Sequence, residues 1–349
     1  MSFFGVTSER MHSIDVLRGV AALSVMLCHV YPHQATGVVT FDALAEFIRF
    51  WVLQVGQTGV NLFFIISGFV IPSSLMGLAV APLRRFWISR VMRLYPAYWL
   101  SLAFAVAVAG MATTGPQLIA NVTMLQRYLG QPSVVGVYWT LAVEMLFYVL
   151  ITGGFALGLL ARPRWASLAF GLVLAFDLAG GVAYWAFGIE MPLGTAMYIT
   201  LMLFGTWLRL DAHRGQVAAV TALLLVVLVA TCWLFYAPDR FERPWTAHYA
   251  GFAIAVVTFA GLYSVRRIAW RPLVWLGEAS YSIYLLHMPL AFLAERMLPS
   301  SLPPLVGCAL ILSVTLVVAG LVHDRVERPF IRLGRRLSAR LTVEPRIPG

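Results

Sequence analysis

The stretch that decides the fold is Ile14-Asp15-Val16-Leu17-Arg18-Gly19-Val20-Ala21-Ala22-Leu23-Ser24-Val25-Met26-Leu27-Cys28-His29. It is apolar enough to cross a bilayer, yet it carries an arginine and a histidine eleven positions apart. On an α-helix that separation is about three turns, or ~16 Å, so both side chains share one face. Ionisable groups at membrane depth are costly, and they mark functional sites. A cation that can hold phosphate, with a titratable base three turns deeper, suits an enzyme that grips a long phosphorylated carrier and acts at its far end.

Composition extends this reading to the whole chain. Of 349 residues, 60% are hydrophobic and 11% charged, with a mean hydropathy of +0.83. A soluble domain carries about a quarter charged residues, so the chain belongs in a membrane. The formal charge of +10 is not a nucleic-acid signature, because the basic residues fall in short loops between apolar spans. Cys28, Cys232 and Cys308 all lie in apolar segments and share no disulfide or metal spacing. No metal site is expected. Helix neighbours point ~100° apart, which argues against a Cys28–His29 catalytic pair. The first apolar segment holds Asp15 and Arg18 and no small-residue cleavage site follows, so it reads as a retained helix.

Taking roughly 20 apolar residues per crossing, the expected fold is all-α and polytopic. About ten spans fall near 14–33, 57–76, 93–112, 138–160, 166–187, 192–209, 216–236, 246–264, 272–294 and 303–323. Gly115-Pro116, Pro132, Pro163, Pro192, Pro238, Pro272 and Pro303-Pro304 punctuate their ends. One integral domain is expected over 1–340, with a short tail at 341–349. With the N-terminus inside, 19 arginines fall in inner segments and five in outer ones, which places both termini in the cytoplasm. The expected location is the inner (cytoplasmic) membrane.

Further polar residues recur inside the spans. Asp15 is one turn before Arg18 and is placed to hold its guanidinium; snorkelling of Arg18 to the interface is the lesser alternative. Asn61, Ser67 and Gly68 lie in the second span, where small residues suit close helix packing. Arg90 and Arg93, in the loop before the third span, face the same way on a helical turn and would fork a phosphate. Glu144 follows Tyr138 and Trp139 into the fourth span, and a carboxylate there must be protonated or partnered; His29, at similar depth by residue count, is a plausible partner. Ser280, Tyr284 and His287 recur at helical spacing in the ninth span, where interhelical hydrogen bonding and a site role are both open. His12, His33, His213, His248 and His323 lie near span ends and read as surface or interfacial.

Taken in order, these residues resemble the acyltransferase-3 family of integral membrane O-acyltransferases. Arg18…His29 matches the family's basic residue, ten intervening positions and histidine. Asn61-Leu62-Phe63-Phe64 through Ser67-Gly68-Phe69 resembles its second element, and Arg90, Arg93 and Pro96 its Arg-x-x-Arg before a proline. Trp139-Thr140-Leu141…Glu144 fits a Trp-Ser-Leu-x-x-Glu element with threonine replacing serine. Ser280-Tyr281…Tyr284-Leu285…His287…Pro289 fits the last. The resemblance implies transfer of an acyl group, commonly acetyl, from cytoplasmic acyl-CoA to a hydroxyl of a surface or secreted glycan. It carries expected roles. His29 is a general base or a transient acyl carrier, and Glu144 orients its imidazole. Arg18, Arg90 and Arg93 hold the donor, while Asn61, Ser67, Tyr138, Trp139, Tyr284 and His287 face the carbohydrate. No tightly bound cofactor is expected. Many family members fuse a periplasmic hydrolase-like domain; none is seen in this sequence, which implies a stand-alone enzyme. The competing reading is a transporter or flippase whose polar residues line a substrate path without covalent chemistry.

Overall fold

A computed structural model describes residues 8–34, 42–77, 80–162, 164–235, 245–264, 270–299 and 301–341. The secondary structure is helical throughout these residues: α1 (Ser8–Gln34), α2 (Asp42–Met76), α3 (Pro82–Ala107), α4 (Gly115–Val122), α5 (Trp139–Ala156), α6 (Trp165–Phe187), α7 (Leu193–Leu210), α8 (Arg214–Phe235), α9 (Trp245–Ser264), α10 (Arg271–Glu278), α11 (Ser280–Met297), α12 (Pro304–Val322) and α13 (Arg328–Arg340). A 3₁₀ turn, Gly136–Tyr138, leads into α5, and a single π turn, His323–Glu327, joins α12 to α13.

Seven stretches among the described residues are long and apolar enough to cross a membrane: Ser13–Val30, Gln54–Met76, Gly136–Ala156, Trp165–Phe187, Leu193–Leu210, Gly215–Phe235 and Leu305–Arg340. This corrects the expected count of about ten. The other three expected spans are helical but fall short for separate reasons. In α3, Arg84, Arg85, Arg90 and Arg93 dilute the apolar run. In α9 the side chains are described only over Tyr249–Leu262, a stretch shorter than a crossing requires. The segment 272–294 is broken at Ala279 into α10 and α11.

Proline marks helix starts as expected, because its missing N–H costs nothing in a first turn. Pro82 opens α3, Pro272 lies in the first turn of α10 and Pro304 opens α12. The Gly115-Pro116 pair opens α4, where Thr114 and Gln117 form a reciprocal capping box. Pro163 and Pro238 lie outside the described residues. Pro72, Pro96 and Pro289 sit inside helices, a position membrane helices tolerate. Arg90 and Arg93 lie on the opening turns of α3 and not in a loop.

The chain forms two compact units, Met1–Val70 with Val149–Ser280 and Ile71–Tyr148 with Tyr281–Gly349. In the first, α1 packs on α10, α6 lies against α7 and α8, and α8 against α9. Glycine permits the closest approaches: a Cβ at Gly68 of α2 would lie 1.7 Å from the Met202 carbonyl oxygen of α7, and one at Gly277 would lie 1.8 Å from the Asp15 oxygen of α1. In the second unit α13 packs on α3, and the π turn contacts both.

Candidate functional site

In the first unit α1 runs unbroken through Arg18 and His29, as the spacing required. Both side chains are half-buried. His29 Nδ1 lies 2.9 Å from the Val25 carbonyl oxygen one turn earlier. With the proton on Nδ1 and donated to that carbonyl, the lone pair sits on Nε2, the form a general base requires. The next residue, Cys28, is buried against Gly56 of α2, where a Cβ would come within 2.3 Å of its own. Gly59 makes the same close approach to Ala21 and Val25. Two glycines on one face of α2 thus let it press on the His29 end of α1.

Asn61 and Ser67 belong to the same unit. Asn61 is fully buried and its Oδ1 accepts a hydrogen bond from Gln57 Nε2 at 3.3 Å. Ser67 is half-buried beside Gly68, whose contact with α7 bears out the reading of close packing there. Sequence reasoning passed over Asp177 in this unit. It is fully buried on α6, accepts from Thr200 Oγ1 of α7 at 2.5 Å, and leaves Oδ1 without a partner among the described residues. A lone carboxylate inside an apolar span was the signal that could have found it.

The second unit holds the remaining predicted residues. Arg90 is clamped: its Nη2 donates to Ser74 Oγ at 2.9 Å, and its guanidinium lies 5.2 Å from the Phe86 ring centre and 5.6 Å from that of Tyr148. Ser74 in turn donates to the Ile71 carbonyl at 2.7 Å. Tyr148 Oη donates to Glu144 Oε1 at 2.8 Å, so the carboxylate is linked through one ring to the arginine. Glu144 is half-buried, with Arg93 near enough for its charge to act on Tyr148. Among the described residues, the Nε of Arg90 and of Arg85 are buried without a hydrogen-bond partner.

Tyr138, Tyr284 and His287 meet in one buried cluster of hydroxyls. Tyr138 Oη is 2.7 Å from Ser101 Oγ, which donates to the Leu285 carbonyl at 2.7 Å. Tyr284 Oη and Thr140 Oγ1 are 2.7 Å apart and share the Val137 carbonyl, at 2.7 and 3.1 Å. Threonine thus serves where the family's pattern has serine. Fully buried His287 places Nδ1 2.7 Å from the Tyr284 carbonyl of its own helix. Trp139 is half-buried where the 3₁₀ turn becomes α5.

One histidine departs from its expected place. His323 is only 4% exposed, not interfacial. The π turn rolls it inward, where Nδ1 lies 2.9 Å from Glu327 Oε2, and the same oxygen accepts from Ser282 Oγ of α11 at 2.8 Å. The i, i+4 spacing of His323 and Glu327 was legible; the π turn that buries both was not. His213 is exposed as expected, while the side chains of His12, His33 and His248 lie outside the described residues. Among the described residues no cluster of three His, Cys, Asp or Glu is arranged to hold a metal.

The chain is 29% identical to the exopolysaccharide production protein ExoZ of Rhizobium meliloti, over 80% of this chain and 91% of that one. It is 23% identical to the acyltransferase MdmB of Streptomyces mycarofaciens, over 96% of each. It is 24% identical to the peptidoglycan O-acetyltransferase OatA of Listeria monocytogenes over 92% of this chain, but spans only 56% of that protein's length. No solved structure matches. The acyltransferase domain is matched over residues 11–323, and the protein, a polytopic membrane protein, belongs to the acyltransferase-3 family.

Proposed function

We propose that this protein moves an acyl group, acetyl in the simplest case, from cytoplasmic acyl-CoA to a hydroxyl of a surface or secreted glycan at the inner membrane. The observation that carries the reading is His29: a half-buried imidazole inside a span, its Nδ1 engaged by the Val25 carbonyl, on the helix that carries Arg18. The acceptor hydroxyl gives its proton to Nε2. Its oxygen bonds to the thioester carbonyl carbon, the carbon–sulfur bond breaks, and the coenzyme A thiolate leaves and takes up a proton. An acyl-histidine route is the alternative chemistry at the same nitrogen.

The donor is anionic, and the clamped Arg90 with Arg93 supplies cations for its phosphates. Arg18 serves the same carrier from α1, while Glu144, paired with Tyr148, belongs to the catalytic set. Asn61, Ser67, Tyr138, Trp139, Tyr284 and His287 are assigned to the carbohydrate. Support comes from relatives named for acetylation of peptidoglycan and for exopolysaccharide production. Mass spectrometry of surface glycan from cells with and without the protein, beside an assay of coenzyme A thiol release, tests the reading. Ester groups lost with the protein are the expected result; unchanged glycan and no thiol release would overturn it.

A further inference from the structure

One face of α2 carries Asn61, assigned above to the carbohydrate, together with three polar groups that no role has yet claimed. Gln54, Gln57, Thr58 and Asn61 recur at positions i, i+3, i+4 and i+7, which puts all four on a single stripe about 10 Å long. The stripe lies inside a segment apolar enough to span the membrane, and it is buried: Gln54 is 4% exposed, Thr58 9% and Asn61 0%. Gln57 bridges Asn61 Oδ1 at 3.3 Å and Tyr198 Oη of α7 at 3.2 Å. Three atoms are left over. Gln54 Oε1, Thr58 Oγ1 and Asn61 Nδ2 have no hydrogen-bond partner among the described residues. A buried polar atom without a partner is costly, so three on one face point to something that completes them.

The surroundings narrow the chemistry. Gly251 of α9 faces the stripe, where a Cβ would lie 2.6 Å from Gln57 Cγ and 3.5 Å from Gln54 Oε1. The Tyr198 ring stands 4.8 Å from that of Phe64 and is stacked 5.9 Å from that of Phe252. The stripe itself carries no charge, so a phosphate gains nothing there, and an acyl chain would leave all three atoms unpaired. The groups are one acceptor, one donor and one hydroxyl that does both. A ligand rich in hydroxyls is complementary to that set, with aromatic rings beside it to pack on.

We propose that this face of α2, with Tyr198, binds sugar hydroxyls of the acceptor; the assignment rests on the acyl-transfer reading above. The stripe is turned away from Gly56 and Gly59, the residues that press on α1. It therefore holds a part of the glycan that does not react, and contributes remote binding energy.

The test uses Gln54→Met with Thr58→Val in the full-length protein, substitutions that keep shape and remove two unpaired atoms. Surface-glycan acylation is measured at equal protein abundance, beside thermal stability and acyl-CoA affinity of the purified protein. The double variant is expected to be as stable as wild type or more so, to bind acyl-CoA normally, and to lose about thirty-fold in transfer at limiting acceptor. Native mass spectrometry with an N-acetylglucosamine tetramer gives a readout independent of chemistry, with adducts on wild type and few on the variant. Unchanged transfer overturns the proposal, as does absence of tetramer adducts on wild type. A drop in stability with unchanged tetramer binding also overturns it, since the atoms then hold only water. A wild-type protein that binds the tetramer yet acylates no glycan fails the acyl-transfer reading and leaves sugar binding at the stripe standing.

Discussion

His29 and Arg90 are held in different ways, and the difference shapes what their replacement does. The Val25 carbonyl of the same helix orients the imidazole, and His29→Ala removes the base. Transfer should fall ~10²–10⁴-fold at unchanged protein abundance, read as acylated glycan per cell. Arg90 is positioned from outside its helix by the Ser74 hydroxyl and the Tyr148 ring, and from one turn earlier on its own helix by the Phe86 ring. Arg90→Ala should raise the apparent KM for acyl-CoA with a smaller change in kcat, and Arg90→Lys should recover only part, because an ammonium cannot supply the planar fork. Ser74→Ala should shift the same constant in the same direction by about ten-fold, the lower end of what one hydrogen bond to a charged group is worth. Steady-state kinetics on the purified protein check all three.

Among the elements, α2 and α11 are those whose neighbours matter most. On α2, Gly68 meets the Met202 backbone so closely that an added methyl group has nowhere to go, and Gly205 of α7 returns the contact to Ile65. Gly68→Ala should therefore prevent α2 and α7 from packing, visible as loss of folded protein in detergent by size-exclusion chromatography. Gly153→Ala, with open space around it, should leave accumulation unchanged. On α11 each polar residue ties a different helix. Tyr281 donates to the Leu94 carbonyl of α3, Ser282 to Glu327 of the π turn, and Tyr284 to the Val137 carbonyl before α5. Glu327→Ala leaves Ser282 and His323 without their shared acceptor and should lower the melting temperature of the purified protein more than Asp324→Ala, whose partner Arg328 is half exposed.

For the whole molecule, orientation is the property still carried by arginine placement alone. Among the described residues seven stretches are long and apolar enough to cross, an odd number, so the side on which each terminus lies depends on α3, α9 and α11. The split of 19 arginines against five argues for both termini inside. Single cysteines at Pro82, Arg336 and Leu129, in a background lacking Cys28, Cys232 and Cys308, put this to the test. A membrane-impermeant thiol reagent on spheroplasts should label Leu129→Cys and spare the other two. Labelling of Arg336→Cys from outside would reverse the assignment and remove Arg90 and Arg93 from the side where acyl-CoA is found.

The sequence by itself determined the class of this protein, most of its helices and the family to which it belongs. Composition and spacing are local properties: a helix of known pitch puts Arg18 and His29 on one face whatever surrounds it. The same logic placed Arg90 beside Arg93 and brought Asn61 into a buried span. Only the tertiary structure decided what these residues touch. Nothing in the spacing says that Ser74 holds Arg90, that Tyr148 pairs with Glu144, or that the family's serine position is filled by a threonine bonded to Tyr284. The partners come from distant parts of the chain, and one sequence does not show which helices meet. The apolar count failed for a related reason. Hydropathy sees the arginines of α3 and the break at Ala279 only as dilution, whereas packing decides whether such helices are held among others. His323 shows the limit most plainly: one π turn, set by the packing of α3, α11 and α13 around it, separates an interfacial histidine from a buried one.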